Sequence, residues 1–417
     1  IFYTAQNSSV SGNMQEGYTV TNTFEVPSDT VNVPVTKVWN DNGNQAQKRA
    51  DSVTMVLTAT SRTPEQIPEE YKTVEETLSN TSNENPDNTN EWIYTFSNLP
   101  KYDNYGNEIT YTVSEKEIEG TAGIFYTEDN TGITGNMTEG YTVTNTFEVP
   151  DEKVSVNVTK NWEDTEEQKD KRPEKVTIIL EANTVEVADQ RKEIATAEDT
   201  TTVTFENLKK YDSNGNVIEY TVTEEGNNKF YIVEGPTGSM TDGYTITNRF
   251  QRPEETVEIA VNKVWVDNTT QAQRRPESIV INLKAENADG KTPGDVIESR
   301  TINTTVAEEQ QNCKFENLPK YNSNGDEIIY KVEEAEAKEG DLHFYSKEES
   351  EVTNVEGQEN KKQATITNTF TKPSDTTSVK VTKNWEDTEE QKDKRPEKLT
   401  IILNATNAEV TEQRKEI

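Results

Sequence analysis

Cysteine is almost missing from this chain, since Cys313 stands alone among 417 residues. A single cysteine excludes an intramolecular disulfide framework, so any covalent reinforcement of the fold must use another chemistry. Histidine is equally scarce, with His343 alone, and no Ser/His/Asp, metal-ligand or glycine-rich phosphate motif occurs. We therefore expect no metal ion, no cofactor and no enzyme that turns over a substrate.

Basic residues and long apolar runs are also scarce. Lys and Arg number 42 against 77 Asp and Glu, which gives a net charge of −35. This charge opposes binding to nucleic acid or to an anionic membrane. No apolar run of about 18 residues is present, so we expect no membrane insertion. The polar, acidic surface suits an extracellular setting, and the lack of a signal peptide and of an initiator Met predicts an internal piece of a longer protein.

Leu and Ala, which favour helices, are sparse, whereas Thr, Asn, Glu and Val are abundant and aromatic residues recur at alternating positions. These features are typical of β-sheet. At about 100–150 residues per domain, the length predicts three or four domains. The sequence therefore indicates an all-β protein of several domains.

Three sequence blocks recur in a fixed order along the chain. The first is a strand-like stretch that ends in Lys-x-Trp, as in VSVNVTKNW at 154–162. The second ends in glutamate, and the third contains Val-Thr-Asn or Ile-Thr-Asn. The Lys blocks end at Trp39, Trp162, Trp265 and Trp385; the Glu blocks are 109–115, 218–224 and 328–334; the Asn blocks are 18–24, 141–147, 244–250 and 364–370.

The spacing of the blocks predicts where the repeating modules begin and end. The step from each Asn to the next Lys is always 15 residues, from 22 to 37, 145 to 160, 248 to 263 and 368 to 383. Proline and the lack of Gly-Ser tracts in these connectors indicate semi-rigid joints. We predict three complete modules, with the last strands of a preceding module before them and the start of a following module after them. The ranges are 1–28, 29–150, 151–252, 253–372 and 373–417.

Strand alternation places a lysine in the core of every module. In 154–162, Lys160 shares a face with Val156, Val158 and Trp162, while the polar residues share the other face. The other Lys blocks repeat this pattern. Burying an unpaired ammonium costs several kcal/mol, so a lysine kept at this position four times needs a partner or a function.

The same test turns one Asn and one Glu inward in each module. Asn145 shares a face with Val143, and the register selects Glu224 over Glu225 and Glu334 over Glu333. The predicted sets are Lys37, Glu115 and Asn145; Lys160, Glu224 and Asn248; and Lys263, Glu334 and Asn368. Asn22 and Lys383 belong to the incomplete modules, so we expect their partners to lie outside this sequence.

Two interpretations account for these buried sets. The first is a Lys–Glu ion pair hydrogen-bonded to Asn, which would confer structural specificity. The second is chemical, because desolvation lowers the pKa of a lysine and raises that of a glutamate, leaving a neutral amine beside a protonated carboxyl. The amine could then attack the Asn side-chain carbonyl while the Glu donates a hydrogen bond to its oxygen. Ammonia would leave, and an isopeptide bond would remain.

A family resemblance supports the second interpretation. The blocks VTKxW, Arg172-Pro173, NLPKYDxxG, YTVxE and YTVTNT together resemble the Cna B-type domain of Gram-positive surface proteins, over essentially the whole chain. The resemblance implies transthyretin-like (reverse immunoglobulin-like) β-sandwiches arranged end to end as a rod. It also implies a Lys–Asn isopeptide cross-link in each complete module, formed once with Glu115, Glu224 or Glu334 as the catalyst. The chain departs from the pattern at Ala50 and Arg249 and has no LPxTG sorting signal.

The function predicted from these observations is a structural stalk or fibre segment of a cell-wall adhesin on the outer surface of a Gram-positive bacterium. Its partners would be neighbouring modules of the same chain, and a host matrix protein or other fibre subunits. The alternative is a ligand-binding protein that acts through the insertions 61–91 and 287–312, although Tyr71 is the only aromatic residue of the first insertion. The turns at 103–107 and 212–216 lack the pattern of a known Ca²⁺ loop and are predicted to be hairpin turns.

Overall fold

The computed structural model describes residues 2–81, 89–336, 343–406 and 410–417. It separates into two compact units. The first contains Ile1–Glu255 together with Pro319–Ile328, and the second contains Thr256–Leu318 together with Ile329–Ile417. We call the predicted ranges 29–150, 151–252 and 253–372 modules 1, 2 and 3. Modules 1 and 2 lie in the first unit, and most of module 3 lies in the second.

The first unit is built from short strands with very little helix. Its strands are β1 (Ser8–Asn13), β2 (Gly17–Asn22), β3 (Thr30–Asn40), β4 (Ser52–Thr60), β5 (Thr73–Ser79), β6 (Glu91–Pro100), β7 (Thr110–Glu115), β8 (Thr131–Asn136), β9 (Gly140–Thr146), β10 (Lys153–Glu163), β11 (Lys175–Ala182), β12 (Gln190–Ala195), β13 (Thr200–Lys209), β14 (Tyr220–Glu225), β15 (Tyr231–Ser239) and β16 (Gly243–Phe250). Its α-helices are the single turns α1 (Glu69–Lys72) and α2 (Gly120–Gly123). Its 3-10 turns are Ala5–Asn7, Pro64–Gln66, Glu128–Asn130 and Glu166–Lys171.

Modules 1 and 2 have the same two-sheet topology. In module 1, a four-stranded sheet of order β6-β3-β9-β8 accompanies a three-stranded sheet of order β5-β4-β7. In module 2, the corresponding orders are β13-β10-β16-β15 and β12-β11-β14. The first and last long strands of each module lie side by side and parallel, while the other pairs are antiparallel. This confirms the predicted all-β class and its β-sandwich modules.

Module 3 repeats this arrangement. The strands of the second unit are β17 (Thr256–Val266), β18 (Ser278–Ala285), β19 (Val296–Asn303), β20 (Cys313–Pro319), β21 (Tyr330–Glu334), β22 (Tyr345–Glu349), β23 (Thr353–Val355), β24 (Gln358–Phe370), β25 (Thr400–Leu403) and β26 (Gln413–Glu416). The 3-10 turns are Gln271–Arg274, Glu308–Gln310 and Glu389–Lys394. One sheet has the order β20-β17-β24-β22 with β23 also paired to β24, and the other has the order β19-β18-β21.

Strand alternation decides what lies in the core. Along β10, Val156, Val158, Lys160 and Trp162 are buried, and the residues between them are not. Their partners in the core of module 2 include Ile178 and aromatic side chains from three further strands. The lysine therefore occupies a core position because it keeps the period of two that the valines set.

The two insertions contribute strands to the sandwich. The first insertion, 61–91, contains α1 and also β5, which pairs with β4 at the sheet edge. Residues 82–88 of this insertion lie outside the described residues. In the second insertion, β19 pairs with β18. Much of each insertion thus completes the fold.

A buried lysine, glutamate and asparagine in each module

The predicted Lys and Asn residues come together because their strands are parallel neighbours. On β3 and β9, Lys37 lies opposite Val143 and Trp39 lies opposite Asn145. Lys and Asn are therefore offset by two positions and share the inward face. The same offset places Lys160 near Asn248 and Lys263 near Asn368. The Glu strand belongs to the other sheet, so each site bridges the two layers of its sandwich.

Each glutamate contacts both of its predicted partners. In module 2, Lys160 Nζ lies 3.6 Å from Glu224 Oε2, and Asn248 Nδ2 donates to Glu224 Oε1 at 2.6 Å. The other sites are alike. The Lys–Glu distance is 3.5 Å for Lys37–Glu115 and 3.6 Å for Lys263–Glu334, and the Asn–Glu distance is 2.6 Å for Asn145–Glu115 and 2.9 Å for Asn368–Glu334.

All three sites are closed to solvent. The side chains of Lys160 and Glu224 are 0 % exposed, and the other two ion pairs are at most 4 % exposed. Burial lowers the pKa of all three lysines to about 8, against the opposing effect of the neighbouring carboxylate. Burial also raises the pKa of Glu115 and Glu224. The lowered lysine pKa and the raised glutamate pKa both favour a neutral amine and a protonated carboxyl.

One carboxyl oxygen of each Glu has no hydrogen-bond partner among the described residues. This oxygen is Oε2 of Glu115, Glu224 and Glu334, which faces the lysine. Each ammonium instead donates to a backbone carbonyl of its own strand, as Lys160 does to Asn161 O at 2.8 Å. In each site this oxygen is therefore balanced by the lysine charge alone, at 3.5–3.6 Å.

An aromatic and cationic layer covers the lysine. Lys160 Nζ lies 4.2 Å from the centre of the Trp162 ring, and the Arg172 guanidinium lies 5.1 Å from it. Arg172 donates two hydrogen bonds to Asp164, at 2.7 and 2.5 Å, and Asp164 also accepts from the Tyr231 hydroxyl at 2.6 Å. Burial raises the pKa of Asp164, but the hydrogen bonds from Arg172 and Tyr231 outweigh this effect and hold that pKa below its usual value.

The same Asp–Arg–Tyr cluster occurs in the other two complete modules, and sequence reasoning did not identify it. The equivalent sets are Asp41, Arg49 and Tyr126, and Asp267, Arg275 and Tyr345. A signal was available, because an Asp always follows the Lys by four residues and an Arg follows it by twelve. The Arg-Pro motif was noted, but its carboxylate partner was not.

The residue on the outer strand opposite the Asn differs between the three sites. Thr131 lies opposite Asn145, Val233 opposite Asn248, and Lys347 opposite Asn368. Thr131 Oγ1 lies 3.0 Å from Asn145 Oδ1. Asn248 Oδ1 and Asn368 Oδ1 have no hydrogen-bond partner among the described residues. The three sites thus share the buried Lys, Glu and Asn but not their immediate surroundings.

Asn22 and Lys383, from the terminal ranges 1–28 and 373–417, are exposed. Asn22 Oδ1 accepts from Ser8 Oγ at 2.7 Å, and Lys383 Nζ donates to Asn384 O at 2.7 Å. Both positions keep features of the complete sites, since Lys383 also lies 4.6 Å from the centre of the Trp385 ring. Neither residue is brought to a site that contains all three groups.

Cys313 is half-buried, and burial raises the pKa of its thiol to about 11. Within the described ranges, no group of three His, Cys, Asp or Glu side chains is placed to hold a metal ion. None of the helices in those ranges has the length and apolar character needed to cross a bilayer.

The fold and the repeated site define a tandem β-sandwich protein with one buried Lys–Glu–Asn set in each complete module. A family model described as the Cna protein B-type domain matches residues 33–146, 156–249, 259–369 and 379–417. The chain therefore belongs to the Cna protein B-type domain family. The matched ranges fall inside the predicted modules, whose outer boundaries stay predictions.

Individual relatives were also found. The chain is 32% identical over 389 residues to a collagen adhesin of Staphylococcus aureus, a match that covers 93% of this chain and 27% of that protein. A second match is the crystal structure of two B repeat units of the collagen binding protein of that organism, with 28% sequence identity and a TM-score of 0.30. This match covers 89% of this chain and 81% of that one. A single B repeat unit gives 27% identity and a TM-score of 0.21, covering 53% of this chain and 100% of that one. The chain thus spans about a quarter of the length of the curated relative.

Proposed function

We propose that this chain is a load-bearing segment of a bacterial surface adhesin, and that each complete module closes itself with a Lys–Asn isopeptide bond. One observation carries the proposal: the same three groups are buried in contact with one another in three separate modules. The cross-links join Lys37 to Asn145, Lys160 to Asn248 and Lys263 to Asn368. Glu115, Glu224 and Glu334 act as their single-use catalysts.

The reaction in module 2 illustrates the chemistry. The neutral amine of Lys160 attacks the side-chain carbonyl carbon of Asn248, so that a carbon–nitrogen bond forms. Glu224 passes a proton from the attacking nitrogen to Nδ2, the bond from carbon to Nδ2 breaks, and ammonia leaves. Glu224 contacts both reactants, with Oε2 3.6 Å from Lys160 Nζ and Oε1 2.6 Å from the Asn248 amide group. The carboxyl ends in its starting protonation state.

The hydrogen bonds in module 1 support a protonated glutamate. Thr131 Oγ1 lies 3.0 Å from both Thr127 O and Asn145 Oδ1, yet a hydroxyl has only one proton to donate. A half-turn of the Asn145 amide removes the conflict, because Nδ2 then donates to Thr131 and Thr131 donates to Thr127. Asn145 Oδ1 then faces Glu115 Oε1, which must carry a proton to donate to it. That arrangement polarises the carbonyl for attack.

Release of ammonia needs a way out of the site. In module 1, a small surface cavity is lined by Glu115, Tyr126 and Thr131, among other residues. Lys37 and Asn145 do not line this cavity, and Glu115 forms part of the wall between it and the closed site. A local opening of this wall would release the ammonia.

The strand topology gives the cross-link a mechanical role. Tension along the chain would enter a module at the Lys strand and leave by the Asn strand, which are parallel neighbours. The isopeptide bond would carry this load directly and spare the residues between them. Closing a loop of about 100 residues also stabilises a fold by about 4–5 kcal/mol in the chain-entropy model, without sensitivity to reductants.

The cellular setting follows from the relatives as a proposal. The relatives are a collagen adhesin and a collagen binding surface protein of Staphylococcus aureus. We place this chain outside the cell, as repeats that hold an adhesive region away from the cell wall. Its partners are its own neighbouring modules, with a matrix protein or fibre subunit as the external partner.

Intact mass spectrometry of the denatured chain tests the cross-links. We expect a mass below the sequence mass by three ammonia molecules, and fragment ions that join the Lys160 and Asn248 peptides. An unshifted mass would leave the buried ion pair as the correct interpretation.

A further inference from the structure

Neighbouring modules contact each other through a small aromatic joint. Phe125 and Phe147, at the end of module 1, stack with ring centres 5.5 Å apart. Tyr211 of module 2 meets Phe125 edge-on at 5.7 Å, with an angle of 74° between the rings. Tyr211 is only 8% exposed, and it belongs to the buried cluster that forms the core of module 1. One module thus places a tyrosine against the core of the module before it.

A glycine makes this close approach possible. Gly215 follows Tyr211 in the same turn and has φ of +73°. A Cβ atom on Gly215 would lie 2.6 Å from Phe125 Cε1, which is closer than real contacts allow. The turn also accepts a hydrogen bond from module 1, because Lys48 Nζ donates to Asn216 Oδ1 at 3.1 Å. The contact therefore combines ring packing, a hydrogen bond and a position, Gly215, at which no side chain fits.

The same joint occurs at the start of module 1. Phe2 and Phe24 stack at 5.5 Å, and Tyr102 meets Phe2 edge-on at 5.6 Å. Gly106 has φ of +77°, and a Cβ there would lie 2.8 Å from Phe2 Cε1.

A third copy lies in the first unit, where the turn at Pro319–Ile328 is grouped with module 2. Tyr321 meets Phe230 edge-on at 5.4 Å, and Phe230 and Phe250 are stacked. Lys229 Nζ donates to the Tyr321 hydroxyl at 2.7 Å, and Lys171 Nζ to Asp326 at 2.8 Å. Three turns of similar sequence thus make the same kind of contact.

We propose that the stacked phenylalanine pairs of the first unit are docking surfaces for a Tyr-Asp/Asn-x-x-Gly turn, and that this contact fixes the orientation of modules 1 and 2. The partner is the neighbouring module of the same chain, because its turn already occupies the surface in three places. The connector alone would permit bending, whereas the docked turn opposes it. This inference concerns orientation and does not depend on the isopeptide bonds.

A spin-label experiment on the full chain tests the joint between modules 1 and 2. In a Cys313→Ser background, Ser97→Cys and Glu206→Cys place labels at two exposed, equivalent positions on β6 and β13. We expect one narrow peak in the distance distribution. Gly215→Asn should replace it with a broad distribution, since Asn tolerates a positive φ but adds the clashing Cβ. Lys48→Ala should broaden the peak less.

Gly357→Asn is the matched control, because Gly357 also has φ of +73° but has no atom within 4 Å of its Cβ position. It should leave the peak unchanged. A narrow peak at the parent distance in Gly215→Asn, or a broad distribution in the parent chain, would overturn the proposal. The ammonia loss of each variant is read separately by mass, so a missing cross-link is not confused with a missing joint.

Discussion

The sites of modules 1 and 2 contain the same three buried side chains, Lys, Glu and Asn, yet they differ in one neighbour. Thr131 gives the Asn145 amide a polar partner, whereas Val233 lies at the same place opposite Asn248. Asn248 Oδ1 has no partner among the described residues. Burial and the Lys–Glu–Asn contacts are common to both sites, whereas the neighbour of the amide is not. In the proposed reaction, this neighbour would affect how firmly the amide is held for attack by the lysine.

The largest expected effect comes from removing a reacting group. Glu224→Ala should abolish the cross-link of module 2 while modules 1 and 3 still form theirs, because each site is self-contained. The chain should then lose two ammonia molecules, and module 2 should lose about 4–5 kcal/mol of stability. Intact mass and calorimetry measure both. Glu225→Ala is the control, since Glu225 is an exposed neighbour paired with Arg191, and it should keep all three losses.

A smaller effect is expected from the arginine that covers the site. Arg172→Ala leaves Asp164 buried without its ionic partner and should destabilise module 2 by about 3 kcal/mol. Arg395 makes the same contact with Asp387 on either side of the 3-10 turn Glu389–Lys394, where the two side chains are 32% and 15% exposed. Arg395→Ala should therefore leave the melting temperature unchanged. If the two substitutions lowered the melting temperature equally, the contribution of the Asp–Arg pair to stability would not depend on its burial.

The comparison between Thr131 and Val233 predicts a difference in rate. Thr131→Val should slow cross-linking in module 1 by about tenfold, the value of roughly one hydrogen bond. Val233→Thr should speed module 2 by a similar factor. A chain recovered unfolded from inclusion bodies, before its modules have reacted, can be refolded from denaturant, quenched in acid at intervals and digested, so that each cross-linked peptide is followed by mass. Unchanged rates in both variants would contradict a role for this neighbour.

The pH dependence should be the mildest effect. The reactive form of the pair, a neutral Lys with a protonated Glu, carries the same number of protons as the Lys–Glu ion pair. The cross-linking rate should therefore not change with pH over the range in which the pair as a whole keeps that number of protons. Acid adds a second proton and holds the amine as ammonium, so the rate falls. Above about pH 8, set by the lowered lysine pKa, the shared proton is lost and the rate falls again. The refolding assay at several pH values measures this plateau, and a rate that keeps rising well above pH 8 would contradict it.

Much of the site could be predicted from the sequence, because strand alternation is a local property. Period-two patterning turns Lys160 inward and separates Glu224 from the exposed Glu225, and the repeats restrict the choice further. The Asp164–Arg172 contact was missed because it links residues in an irregular segment, where no period applies. The joint residues Tyr211 and Phe125 were missed for a similar reason, since they meet between modules.

The sequence by itself determined the strands, the inward face of each and the repeat that multiplies the site. Tertiary structure alone decided that the Lys and Asn strands are parallel neighbours, that the Glu strand lies across the sandwich, and which residue stands beside each amide. The physical reason is the range of the interactions. Alternation follows from the backbone within a few residues, whereas strand pairing and side-chain contacts depend on residues separated by about 100 positions, which only the packed fold brings together.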